Sequence, residues 1–311
     1  MKIALLFPGY GSQFVGMGKE LYDEHRVVQE YFEEASNCLN VNFVKLCFAS
    51  SDVELSQMEH AYPALFLVSS ALYALLKQEG ILPQVVAGYN QGEYAALFAA
   101  GSMNFPDGLY LLTKIRSFYQ QELETMSVRI IQVKGMVSTE LEQLCYETST
   151  TGEFVSISIY NTATDCIVAG YTAAVDKMYK VLTQQKEVEI LELGIEVGMS
   201  SPIMNTVADQ FRIYLEKVDF KDVGIPLISC SNGSLITQAS EIKNHIVHHI
   251  TTAMKWTQIM NALDAYDFII EVGPGTRLST MVKELYPNKL YSAINTRADI
   301  ETVQKIISEH A

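Results

Sequence analysis

One stretch constrains the fold more than any other: Val85-Val86-Ala87-Gly88-Tyr89-Asn90-Gln91-Gly92-Glu93-Tyr94-Ala95-Ala96-Leu97. A short apolar strand runs into a Gly-x-x-x-Gly turn, and a helix of small residues follows. This is the pattern of a nucleophile elbow, in which a sharp turn lifts one side chain above the end of a parallel sheet. The glycines let strand and helix backbones approach closely. The helix N-terminus favours negative charge beside the raised residue. A serine ordinarily stands there; this chain has Asn90.

The rest of the chain supplies the sheet that such an elbow needs. Short apolar runs at Ile3–Phe7, Val85–Ala87, Leu227–Cys230 and Phe268–Val272 alternate with longer helical patterns. That alternation predicts an α/β protein with a mainly parallel sheet. Glu20–Ser36 reads as one helix, and Ala64–Lys77 as another entered through Tyr62-Pro63, with proline in its first turn. Glu241–Ala265 reads as largely helical. Between them, residues 127–196 read β-α-β-β-α-β, the order of a ferredoxin-like module. The expected division is therefore a large domain of residues 1–126 and 197–311, with 127–196 inserted.

Composition narrows the function. The chain has 311 residues and a formal net charge of -14, so nucleic acid is not expected as a partner. No apolar run reaches the ~18 residues of a membrane span. The five cysteines show no CxxC and no metal-type spacing, which fits reduced thiols in a cytoplasmic protein. The six histidines include His245, His248 and His249 at i, i+3 and i+4. That spacing can ligate a metal. No carboxylate or cysteine is placed beside them by the sequence, so they read as a solvated helix face and no metal is expected.

Motifs along nearly the whole chain resemble those of the malonyl-CoA:acyl carrier protein transacylases and the acyltransferase domains of polyketide synthases. Phe7-Pro8-Gly9-Tyr10-Gly11-Ser12-Gln13 is similar to FPGQGSQ, Tyr62-Pro63-Ala64-Leu65 to QPAL, and Gly88 to Glu93 to GHSLGE. Asn161 to Gly170 resembles the N-x-P-x-Q-x-V-I-x-G hairpin, and Ser200 to Met204 resembles HSPLM. Lys255-Trp256-Thr257 and Glu271-Val272-Gly273-Pro274-Gly275 resemble the closing motifs. The resemblance implies a hydrolase-like α/β domain with a ferredoxin-like insert. It also implies a ping-pong reaction in which serine carries the acyl group from coenzyme A to a carrier-protein thiol, with a histidine as base. Acyl carrier protein or synthase components are the implied partners. No cofactor is implied, only a malonyl-CoA or phosphopantetheine ligand.

The departures fall on the chemistry. Asn90 replaces the nucleophile, Tyr89 the histidine before it, and Ser200 the base; Tyr10 and Tyr62 replace two glutamines. An amide nitrogen with a delocalised lone pair does not form an acyl ester. A serine hydroxyl is no base near neutral pH. Asn90 and Ser200 are thus the catalytic positions with the reacting groups gone. The resemblance implies a substrate-binding set: Arg116, at the position of the family's substrate-carboxylate arginine, with Tyr10, Gln91, Tyr62, Tyr89 and Asn161. Tyr10, Tyr62 and Tyr89 are expected to line one pocket and to fill it. Ser200 and Ser201, before Pro202, are expected to cap a helix. Backbone N–H groups near Tyr10 and Gln91 could retain an oxyanion hole. The resulting expectation is a catalytically inactive homologue that binds or scaffolds a carrier protein. The alternative is a transferase or thioester hydrolase using another nucleophile or water.

Overall fold

The computed structural model describes residues 1–194 and 200–310. Among the described residues, eleven strands form two sheets. In chain order they are β1 (Ile3–Phe7), β2 (Val85–Gly88), β3 (Val128–Lys134), β4 (Val155–Tyr160), β5 (Asp165–Tyr171), β6 (Glu189–Leu193), β7 (Leu227–Ile228), β8 (Leu235–Ile236), β9 (Met254–Lys255), β10 (Phe268–Val272) and β11 (Leu290–Ile294).

The first sheet has the order β11-β10-β1-β2-β7-β8. All its pairings are parallel except β7 with β8. Every residue of β1, β2 and β10 is buried, as central strands covered on both faces must be. This explains why their sequences are continuous apolar runs rather than alternating ones. The second sheet has the order β6-β3-β5-β4-β9. Its strands β3 to β6 follow the expected β-α-β-β-α-β order, with helices Ser138–Thr148 and Thr172–Leu182 between them. The expected boundary at residue 196 lies outside the described residues.

Several elements differ from the sequence expectation. The single helix expected over Glu20–Ser36 is two helices, Lys19–Glu24 and Arg26–Leu39, separated by an extended His25. The helix holding Tyr62 runs Met58–Gln78 and carries Pro63 in its interior. Proline removes one backbone bond there, and burial of nearly the whole helix surface outweighs that loss. The long helix expected over Glu241–Ala265 breaks into helices Ala239–Thr251 and Trp256–Ala262 around β9. Strand β9 joins the second sheet beside β4 and lies against the elbow, because the Asn90 N–H donates to Met254 Sδ at 3.3 Å. No helix among the described residues is long and apolar enough to cross a membrane.

The elbow itself forms as the sequence indicates. Strand β2 ends at Gly88, and helix Gly92–Ala99 begins four residues on. Asn90 sits at φ 54, in the left-handed region. Asparagine tolerates that region better than most residues do. A Cβ on Gly92 would collide with the Phe7 carbonyl oxygen, and one on Gly9 with the Tyr89 carbonyl oxygen. Backbone-to-backbone contact therefore locks the turn onto the end of β1. Gly92→Ala is expected to destabilise the protein by at least about 4 kcal/mol, because neither colliding group can rotate away. Urea unfolding of the variant measures this; near-native stability would show that the turn can open.

Candidate functional site

The elbow places Asn90 at the C-terminal end of the first sheet. A small cavity of about 30 Å³ lies beside it, lined by Asn90, Gln91, Tyr62, Ser200, Glu93 and His249 among others. Asn90 and Ser200 are both nearly buried, at 9% and 6% exposure. Two positions 110 residues apart in sequence, which the reaction pattern makes partners, therefore meet at one cavity.

Gln91 crosses this site. Its Oε1 accepts from the Tyr10 N–H at 3.3 Å, and its Nε2 donates to the Tyr62 hydroxyl at 2.8 Å. The backbone donor expected to serve an oxyanion hole at Tyr10 is thus already engaged by a side chain of the protein. Tyr10 packs edge-on against Tyr62, and its own hydroxyl donates to the Ser56 carbonyl at 2.9 Å.

The three tyrosines do not line one pocket. Tyr62 borders the cavity, whereas Tyr89 points the other way. The Tyr89 hydroxyl donates to Asn161 Oδ1 at 2.7 Å and accepts from Arg277 at 3.1 Å; its ring packs edge-on against Trp256. Successive residues through a tight turn project to different sides, which separates Tyr89 from Asn90. Burial raises the Tyr89 hydroxyl above its ordinary pKa, and the nearby Arg277 charge offsets only part of that. Asn161 is fixed in turn, donating from Nδ2 to Asp165 at 3.1 Å.

Arg116 also departs from expectation. It is not among the residues that line the cavity. Its helix, Phe105–Leu123, turns Ile115 and Tyr119 to that side. Arg116 and Gln120 occupy the next face, as a 3.6-residue period requires. The guanidinium donates to Glu59 at 3.3 Å and Gln120 at 3.0 Å beside a surface groove.

Ser201 does not cap with its side chain. Its hydroxyl meets that of Ser156 at 3.2 Å, and its N–H donates to the Ile250 carbonyl.

The largest correction concerns the histidines. Of His245, His248 and His249, only His248 is exposed; the other two are nearly buried. Both contact the carboxylate of Glu93, in the first turn of the elbow helix. Burial alone pushes the Glu93 carboxyl up. The charges of His245 and His249 and their hydrogen bonds outweigh it, holding the group well below the usual carboxylate range. His245 is lowered by burial and raised more strongly by Glu93, so it stays above the ordinary histidine value. The sequence signal was present as the i, i+4 spacing of the two rings. Their partner lies about 150 residues away, beyond the reach of local patterning.

A mainly parallel α/β sheet, a glycine elbow at its end and a second sheet set against the elbow define a scaffold of the acyl-transferring kind. Comparison with known proteins places it within that class. Residues 4–304 match the model of the acyl transferase domain family, and the chain belongs to that family. It is 29% identical over 310 residues to the malonyl CoA-acyl carrier protein transacylase of Bacillus subtilis strain 168, covering 99% of this chain and 98% of that protein. A second Bacillus subtilis protein of the same name is 31% identical over 290 residues, covering 91% and 71%. Among solved structures, FabD from Acinetobacter baumannii superposes with a TM-score of 0.93 at 28% identity, covering 100% of this chain and 99% of that one.

Glu93→Gln leaves the histidine pair without its counter-charge and is expected to destabilise the fold by about 3–5 kcal/mol in chemical denaturation. Arg116→Ala removes a partly exposed ion pair and is expected to cost less than about 1 kcal/mol in the same assay. A larger loss for Arg116→Ala would reveal a structural role that its position does not indicate.

Proposed function

We propose that this chain is a non-acylating acyltransferase homologue that engages an acyl carrier protein or a synthase assembly containing one. The observation that carries the reading is Asn90 in the raised position of an intact elbow, beside a cavity of about 30 Å³. A small-molecule pocket is commonly ~300–1,000 Å³. The cavity holds little more than one water molecule, whose share of liquid volume is about 30 Å³. Ser200 across it supplies no imidazole. Gln91 occupies a backbone donor that an acyl oxyanion would require. Arg116, the residue expected to grip an acyl carboxylate, is held by Glu59 and Gln120.

Carrier protein as the partner is supported by the similar Bacillus subtilis proteins, which are malonyl CoA-acyl carrier protein transacylases. A net charge of -14 opposes an acidic partner, so the docking face needs local cations. Arg277 and Lys255 meet that need. Arg277 stacks on the Tyr89 ring. Lys255 is exposed between Met254 and Trp256, which touch Asn90 and Tyr89. Neither has an ion-pair partner among the described residues.

The test has two arms. Intact-protein mass spectrometry after incubation with malonyl-CoA and other acyl-CoAs is expected to show no adduct. Calorimetry with acyl carrier protein is expected to show binding. An acyl adduct on any residue, or thioester cleavage above background, would overturn the inactive reading in favour of a displaced nucleophile or activated water. Absence of carrier binding would overturn the partner. Lys255→Glu is expected to slow carrier association about tenfold at low salt while leaving the unfolding midpoint unchanged.

A further inference from the structure

We infer that Glu93, Cys230 and His249, with His245 alongside, form a buried binding site for a borderline-soft divalent cation of the zinc class. One donor atom from each of Glu93, Cys230 and His249 lies within 4.8 Å of the others. His245 Nε2 touches the same carboxylate and lies 3.9 Å from the Cys230 sulfur. Three potential ligands, Cys230, His245 and His249, thus gather around the Glu93 carboxylate. With Glu93 they come from three elements: the elbow helix Gly92–Ala99, the chain just past β7, and the helix Ala239–Thr251.

Ligand chemistry selects the metal. Calcium and magnesium take shells of oxygen, and this cluster offers a single carboxylate. Thiolate, imidazole and carboxylate together are the donors of tetrahedral zinc, with bonds of ~2.0–2.3 Å. Such bonds place neighbouring donors roughly 3.3–3.8 Å apart. The present separations bracket that range: the Glu93–histidine contacts are closer and the Cys230–His245 contact slightly longer. Binding therefore calls for the carboxylate and the rings to part.

Charge balance favours the same metal. Glu93 and a Cys230 thiolate each carry -1, and neutral imidazoles carry none. A dication makes the set neutral, which lowers the penalty for burying it. The exchange is balanced: the cation enters, the Cys230 thiol releases its proton, and any proton held between Glu93 and a histidine leaves with it. The ring of His249 adds a second observation. One nitrogen contacts Glu93, while Nε2 is buried with no hydrogen-bond partner. His249 also lines the cavity beside Asn90. Cation binding at this cluster requires neither carrier binding nor loss of acyl transfer.

Cobalt(II) reports both geometry and thiolate ligation. The full chain, freed of metal by chelator dialysis, is titrated with cobalt(II) and then with zinc(II). One equivalent of cobalt is expected to give tetrahedral ligand-field bands and a thiolate-to-cobalt charge-transfer band. Zinc is expected to displace the cobalt and raise the melting temperature. Cys230→Ser is expected to abolish the charge-transfer band and weaken zinc binding more than the about 10–100-fold that loss of an outer partner causes. Cys38→Ser, at the exposed thiol, is expected to change neither. A titration without saturable binding, or cobalt spectra lacking the thiolate band, would overturn the site. So would loss of the band in Cys38→Ser. If Cys230→Ser does not fold, the wild-type and Cys38→Ser spectra decide the question alone.

Discussion

The architecture depends on one close contact, the meeting of the elbow backbone with the end of β1. Gly9, Gly88 and Gly92 each lie where a Cβ would strike backbone atoms. The contact holds Asn90 in a left-handed conformation and aims the N-terminus of the elbow helix at the site. Every other feature is set relative to that point. Met254 on β9 meets the Asn90 N–H, Gln91 spans Tyr10 and Tyr62, and Glu93 receives the two histidines. A geometry this constrained persists whatever side chain the turn carries, because its cause lies in the backbone and in the absence of Cβ atoms.

Elements whose cause is local were readable in the sequence. Strands β1 and β10 have the residues expected, since a continuous apolar run bounded by proline or glycine has few other uses. The elbow is legible for the same reason. Elements set by distant partners were not. Pro63 argues locally for a helix start, yet the helix continues because its faces are buried by surrounding elements. The break at Thr252 exists because Met254–Lys255 pairs with β4, about a hundred residues earlier. Motif order pairs Asn90 with Ser200, which meet at one cavity, but the direction of each side chain was not legible in it. Tyr89 and Asn90 are adjacent and part at the turn, while Ile115 and Arg116 part around a helix.

The Glu93 cluster shows what kind of interaction local reading overlooks. Two histidines four apart are equally compatible with a wet face and a buried one, until the partner is known. The partner is a carboxylate with 2% exposure, which cannot remain ionised without compensation. His245 and His249 supply that compensation from one helix, so elbow and helix are tied electrostatically as well as by packing. The same convergence brings Cys230 to the group and gives the cluster its metal-binding donor set.

An acylating site must keep its donors and its volume free for a transition state, because groups already satisfied within the protein add nothing when charge develops on the substrate. Here the opposite arrangement holds. The Tyr10 N–H is answered by Gln91, Gln91 by the Tyr62 hydroxyl, and the Arg116 charge by Glu59. Each pairing stabilises the resting protein and removes a group from the set a substrate could use. If Asn90 and Ser200 are the reacting positions, as proposed, restoring one serine would still leave the site without an imidazole at position 200. In the non-acylating reading, the change is thus spread over Gln91, Tyr62 and Arg116 rather than confined to Asn90.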